Sequence, residues 1–83
     1  MPITAIIFFS LKHGASNQVA QALKKIPEIT KIMSVTGDYD LIAEAQVEQM
    51  EQLHDIFVNK IDVLEGIENT TTAVVLKELL QKS

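Results

Sequence analysis

Two short polar clusters interrupt an otherwise aliphatic chain: Gly37-Asp38-Tyr39-Asp40 and Asn69-Thr70-Thr71-Thr72. Their side-chain types suit a small zwitterion. Free backbone N–H groups at a glycine turn can hold a carboxylate. An aspartate can pair with an ammonium, and threonine hydroxyls both donate and accept. A plainer reading stands beside this one. Glycine supplies positive φ, aspartate caps turns, and threonine favours strands. Turn chemistry covers Gly37 and Asp38 well. It covers Asp40 less well, because that position opens a strand, where aspartate is disfavoured.

No other constellation specifies an active site. The two histidines, His13 and His54, are not at metal-ligand spacing. His13 reads as a loop residue and His54 as a helix-flank residue. No serine sits in a nucleophile elbow, and the three glycines form no phosphate-binding pattern. Cysteine is absent, which excludes disulfides, thiolate metal sites and a thiol nucleophile. No cofactor and no metal are therefore expected. The formal net charge of −4 argues against direct nucleic-acid binding, which needs clustered Lys and Arg. Lys24-Lys25, the one adjacent basic pair, reads as a solvated helix end. The longest apolar run, Ala5 to Phe9, is too short to span a bilayer and has no basic leader, so a cytoplasmic location is expected.

The elements that must position these clusters follow from periodicity. With 83 residues there is room for one domain, taken as residues 1–83. Ile3 to Leu11 is apolar on both parities, as in a strand covered on both faces. "HGAS" breaks that pattern and offers Ser16 as an N-cap. Val19, Ala22, Leu23 and Ile26 recur at helical spacing, so a helix is predicted from Asn17 to about Lys25, stopped by Pro27. Ile29–Thr36 and Asp40–Gln46 read as strands joined by the glycine turn, hence an antiparallel hairpin. Glu48 to about Lys60 reads as a second helix. Its apolar stripe is Met50, Leu53, Phe57 and Ile61, with Glu48 and Glu51 suited to its first turn. Ile67–Leu76 is the fourth strand. The tail "KELLQKS" reads equally as a short helix or as more strand.

The order β-α-β-β-α-β predicts an α+β, ferredoxin-like sandwich: a four-stranded antiparallel sheet with both helices on one face. That leaves one face of the sheet open, and an open face is usually polar. Here Ile6 and Phe8 fall on the second parity of strand one, and Ala73, Val74, Val75 and Leu76 run together in strand four. Exposing several such side chains forgoes about 1.5–3 kcal/mol each. The expectation is a subunit interface, with two sheets packed face to face in a two-fold, barrel-like dimer. A domain this small also has little room for a deep pocket, so a neighbouring subunit would complete any site.

The stretch "IPEITKIMSVTGDYDLIAEAQVEQMEQLHDIF" followed by "LEGIENTTTAVVLK" resembles the effector-binding domain of the Lrp/AsnC transcriptional regulators. The resemblance rests on Pro27 before strand two, the Val35–Leu41 turn, Gly66-Ile67 at the entry to strand four, and Thr70 and Thr72 ahead of Val74-Val75-Leu76. It implies dimers paired through their sheets, higher assemblies such as octamers or other rings, and an amino-acid effector bound between dimers. It carries the effector contacts onto Gly37, Asp38, Tyr39, Asp40, Thr70 and Thr72. Family members usually have an N-terminal helix-turn-helix domain. Strand one here starts within the first few residues, so the chain resembles the stand-alone effector-binding form.

The function expected on this basis is non-enzymatic. An amino acid would bind at oligomer interfaces and modulate transcription indirectly, through self-assembly or association with a full-length Lrp/AsnC regulator. Gly37 and its neighbours would hold the carboxylate, Asp38 or Asp40 the ammonium, and Thr70 and Thr72 would orient both. The alternative is a small dimeric α+β barrel enzyme of monooxygenase or isomerase type.

Overall fold

In the computed structural model, which describes residues 2–82, a single sheet carries the chain. Strand β1 spans Ile3–Leu11, β2 Ile29–Ser34, β3 Leu41–Val47 and β4 Ile67–Val74. Helix α1 spans Ser16–Leu23, and α2 spans Met50–Ile56 and runs on into a π-helical turn, Phe57–Ile61. The sheet order is β2-β3-β1-β4 with every pairing antiparallel, the ferredoxin-like arrangement expected from the element order.

Alternation sorts the sheet into two faces. Ala5, Ile7, Phe9 and Leu11 of β1 and Leu41, Ala43, Ala45 and Val47 of β3 point toward the helices and are buried. Val19 and Leu23 of α1 and Leu53 and Ile56 of α2 close over them. No polar or charged residue is buried among the described residues, so the core is wholly apolar. Gln52 Oε1 accepts from the N–H groups of Glu48 and Gln49 at 2.7 and 2.8 Å, satisfying donors at the start of α2. The Lys60 ammonium lies 3.6 Å from the Glu28 carboxylate, tying the π-helical turn to the entry of β2.

Several local expectations are corrected. Ser16 is not the N-cap of α1. The Ala15 carbonyl already accepts the Val19 N–H at 3.0 Å, so the helix begins one residue earlier, and no side chain caps it. Strand β2 ends at Ser34 and β4 at Val74, each two residues short of the predicted end. The stripe on α2 also differs: Met50 is 51% exposed, and Ile56 takes a core position instead. Ile56 stands three residues after Leu53, at ordinary helical spacing, and the helix then widens into the π-helical turn, in which the Asp62 N–H bonds to the Phe57 carbonyl five residues back at 2.8 Å. The wider turn brings Ile56 and Ile61, five apart, onto the same buried face. The tail is neither helix nor strand as far as residue 82; Ser83 lies outside the described residues. One further ladder bond, Val75 N–H to the Thr4 carbonyl at 2.9 Å, continues β4, and the chain then runs free with Leu76 97% exposed.

On the open face, registered pairs place Met33, Ile42, Phe8 and Thr71 in one row and Lys31, Glu44, Ile6 and Ala73 in the next. Ile6, Phe8, Met33 and Ile42 are half-buried there with no helix above them. The apolar centre of this face is therefore real, although Val74 is not part of it. Val74 pairs with Ala5 and points to the helix side.

Candidate functional site

The hairpin connection from Val35 to Asp40 is built by its own backbone. The Val35 N–H donates to the Asp40 carbonyl at 3.1 Å, closing the turn, and Gly37 sits at φ +115°. Nothing lies within 4 Å of the place a Gly37 Cβ would occupy, so backbone conformation rather than space selects glycine here. Ser10 Oγ donates to the Asp38 carbonyl at 3.4 Å. The Asp38 carboxylate itself is exposed and accepts no hydrogen bond within the described residues.

Asp40 has a structural task. Its N–H donates to the Phe9 carbonyl at 2.8 Å, and its Oδ2 accepts the Leu11 N–H at 2.8 Å. The carboxylate thus extends the β1–β3 ladder by one step on the residue before β3 begins, which explains an aspartate at a strand start. Asp40→Ala leaves the Leu11 N–H to solvent, and we expect a loss of about 1 kcal/mol, read as a lower thermal midpoint. Asp40→Asn, which keeps an acceptor oxygen, should recover most of it.

Tyr39 folds onto the open face. Its ring centroid is 5.2 Å from that of Phe8 at an interplanar angle of 42°, and its hydroxyl donates to Thr71 Oγ1 at 3.4 Å. Thr70 and Thr72 lie on the other side of the sheet, paired with Phe9 and Ile7. Since β1 stands between β3 and β4, the turn and these threonines are also about two strand spacings apart, roughly 10 Å. One chain therefore brings the turn to Thr71 and not to Thr70 or Thr72. If all six predicted residues serve one ligand, they do so from different copies.

Sequence reasoning missed the surroundings of Thr72. An open apolar groove of about 370 Å³ runs between α2 and the edge strand β4, lined by Met50, Leu53, His54, Phe57, Thr72 and Val74. The helical stripe of Met50, Leu53 and Phe57 was the available signal, but it reads as core. A larger cleft of about 520 Å³ lies between the β1–α1 loop and the entry to β4, where Lys12 and His13 face Glu65 and Gly66. His13 and His54 line different depressions, and no group of three or more His, Cys, Asp or Glu side chains is placed to hold a metal among the described residues. No helix among them is long and apolar enough to cross a membrane.

Residues 4–83 match the Lrp/AsnC ligand binding domain. The chain belongs to this family. Among curated proteins it is similar to the HTH-type transcriptional regulator FL11 of Pyrococcus furiosus, with 37% identity over 75 residues, which cover 90% of this chain and 49% of that protein. It spans about half the length of the FL11 relatives it matches. Among solved structures, TTHA0845 of Thermus thermophilus superposes with a TM-score of 0.88 at 29% identity, covering 95% of this chain and 99% of that one. The Neisseria meningitidis transcriptional regulator NMB0573, solved as an L-Met complex, shares the fold with a TM-score of 0.88 at 22% identity, covering 98% of this chain and 54% of that one. The matched family model is a ligand binding domain and the FL11 relatives are named transcriptional regulators, so the comparisons favour a regulatory domain over the monooxygenase or isomerase alternative.

Proposed function

We propose that this Lrp/AsnC domain is an effector sensor, in which an α-amino acid binds between copies and shifts their assembly. The observation that carries the reading is the turn itself. It presents an exposed aspartate, Asp38, beside a positive-φ glycine, while its own ladder is already closed by Asp40. The turn's Asp38 and Gly37 are thus free for a zwitterion's ammonium and carboxylate. Thr70 and Thr72 of a neighbouring copy would complete the site, with Tyr39 held on the sheet by Thr71. The L-Met bound to the meningococcal regulator supports an amino acid as the effector class.

In this reading the copies first pair through their open sheet faces and then assemble further into a ring such as an octamer. The effector acts because it binds the assembled form better than the separated one. The acidic chain does not contact DNA itself. It modulates transcription in the cytoplasm by joining a full-length Lrp/AsnC regulator or by withholding itself from one.

A calorimetric panel of the standard amino acids tests this. At least one should bind, and Asp38→Ala or Thr72→Val should weaken it by roughly tenfold to a hundredfold, the worth of a lost hydrogen bond to a charged group. Light scattering should show the assembly unchanged in both variants. A silent panel on a folded assembly would sink the proposal.

A further inference from the structure

We infer that the C-terminal segment Leu76–Lys82 is a docking arm, which folds as a two-turn helix in the groove between α2 and β4 of a second copy. The inference adds a second junction to the assembly reading above and does not depend on which effector binds.

The arm carries apolar surface that its own chain leaves bare. Leu76 is 97% exposed, Leu79 85% and Leu80 72%, the most exposed large hydrophobics among the described residues. Single exposed leucines are ordinary, but these stand together on one short segment. Their spacing is i, i+3, i+4, one face of a helix. Lys77 and Lys82 then flank the leucines, and Glu78 and Gln81 fall on the opposite side. Every residue from Leu76 to Lys82 is a strong helix former. Two turns are too few to hold a helix in water, so the segment stays non-helical until a surface receives its leucines.

The groove supplies that surface. Its wall is Met50, Leu53, His54, Phe57, Thr72 and Val74. From Met50 to Phe57 it follows α2 for roughly 10 Å, and seven helical residues of the arm are about as long. A helix in a groove anchors through residues at i, i+3 and i+4, the spacing of the three leucines. Charge agrees. Glu51 and Asp55 stand exposed on α2, one turn apart and flanking the groove face. The lysines beside the leucines of a seated arm come within reach of them.

Direction decides which copy receives the arm. Strand β3 reaches Val47, opposite Ile3, and α2 starts three residues later, so the groove begins at this end of the sheet and runs back along α2. Strand β4 runs out at the same end, where the Val75 N–H still donates to the Thr4 carbonyl at 2.9 Å. A chain continuing from Val75 leads away from its own groove. Turning back would spend Leu76 and Lys77 on a tight reversal, and the segment has no glycine, proline, asparagine or aspartate to make one. The receiving groove therefore belongs to a second copy. The contact is small, so it is the weaker junction and joins copies already paired through their sheets, each pair offering two arms and two grooves.

Sedimentation of the full chain at micromolar concentration tests this on the wild type, Leu79→Glu and Met50→Glu. Either substitution should weaken the arm junction by at least about tenfold and reduce the larger assembly to sheet-paired dimers. Leu79 is 85% exposed, so the fold does not depend on it. The chain has no cysteine, so a Met50→Cys, Leu79→Cys double variant gives a second readout under mild oxidation. It should form disulfides between chains, and neither single variant should. Unchanged mass in Leu79→Glu, a disulfide closed within one chain, or no disulfide at all would overturn the arm and leave amino-acid sensing standing. A silent amino-acid panel alongside disulfides between chains would remove the sensing reading and leave the arm in place.

Discussion

Gly66→Ala should lower the folding free energy by about 3 kcal/mol, read as a shift of the urea midpoint at unchanged slope. Two independent costs meet at this position. Its φ of +97° lies where an L side chain is strained, at about 1–2 kcal/mol. A Cβ placed there would also come within 2.8 Å of the Ala15 Cβ and 3.3 Å of a Val19 methyl. Ala15 Cβ has no torsion by which to move aside, and Val19 is fully buried, so the overlap falls on the junction of α1 and β4. Backbone relaxation is also limited, because the Gly66 carbonyl accepts the Lys12 N–H at 2.8 Å. Gly37→Ala is the internal control. It carries a similar positive φ with open space around it, and should cost only about 1 kcal/mol. If the two variants fall equally, close packing at Gly66 contributes nothing.

The elements are legible because their signals are local. Ile3–Leu11 reads as a strand from its residue types, and the structure gives it those bounds. The glycine turn follows from Gly37, and the ferredoxin-like topology follows from the order of elements. What cannot be read lies in register and in helix phase. Nothing in "MEQLHDIFVNKI" marks a turn widened to five residues, and helical spacing from Leu53 does not choose between Ile56 at i+3 and Phe57 at i+4 for the core position. The pairing of β4 with β1 decides that Thr71 meets Tyr39 while Thr70 and Thr72 face the helices. Alternation separates Thr71 from its neighbours, but it does not say which side holds the turn.

Asp40 shows the limit of inferring a site from an unexplained residue. Its presence at a strand start calls for a reason, and the Leu11 N–H at 2.8 Å supplies one inside the chain. The residue that still lacks an internal partner is Asp38, so the proposed ammonium contact moves toward it. The site residues as a set are less legible than the fold for a physical reason. The site as proposed is shared between copies, which would leave only half of its chemistry in one chain, and each half alone resembles an ordinary turn or strand.

Ile42→Asp carries the largest expected effect on assembly. Ile42 stands between Met33 and Phe8 at the centre of the uncovered face, with Lys31 and Glu44 in the neighbouring row. If two copies pair through this face about a two-fold axis, each substitution appears twice in one interface. A carboxylate there is desolvated without a partner, at several kcal/mol per copy. Aspartate is too short to lift its charge to the rim, as a lysine could. Two such penalties raise the dissociation constant by about ten-thousandfold or more, so the variant should sediment as a monomer at micromolar concentration where the wild type is assembled. Gln21→Asp, an exposed position on α1, adds the same charge away from the sheet and should leave the mass unchanged. The monomer should also melt lower and lose the concentration dependence of its midpoint, because an 83-residue domain draws part of its stability from the surface it shares. An Ile42→Asp chain that keeps the wild-type mass would show that the open face is not where copies meet, and the effector would then have to be sought at some other junction than one built on sheet-paired dimers.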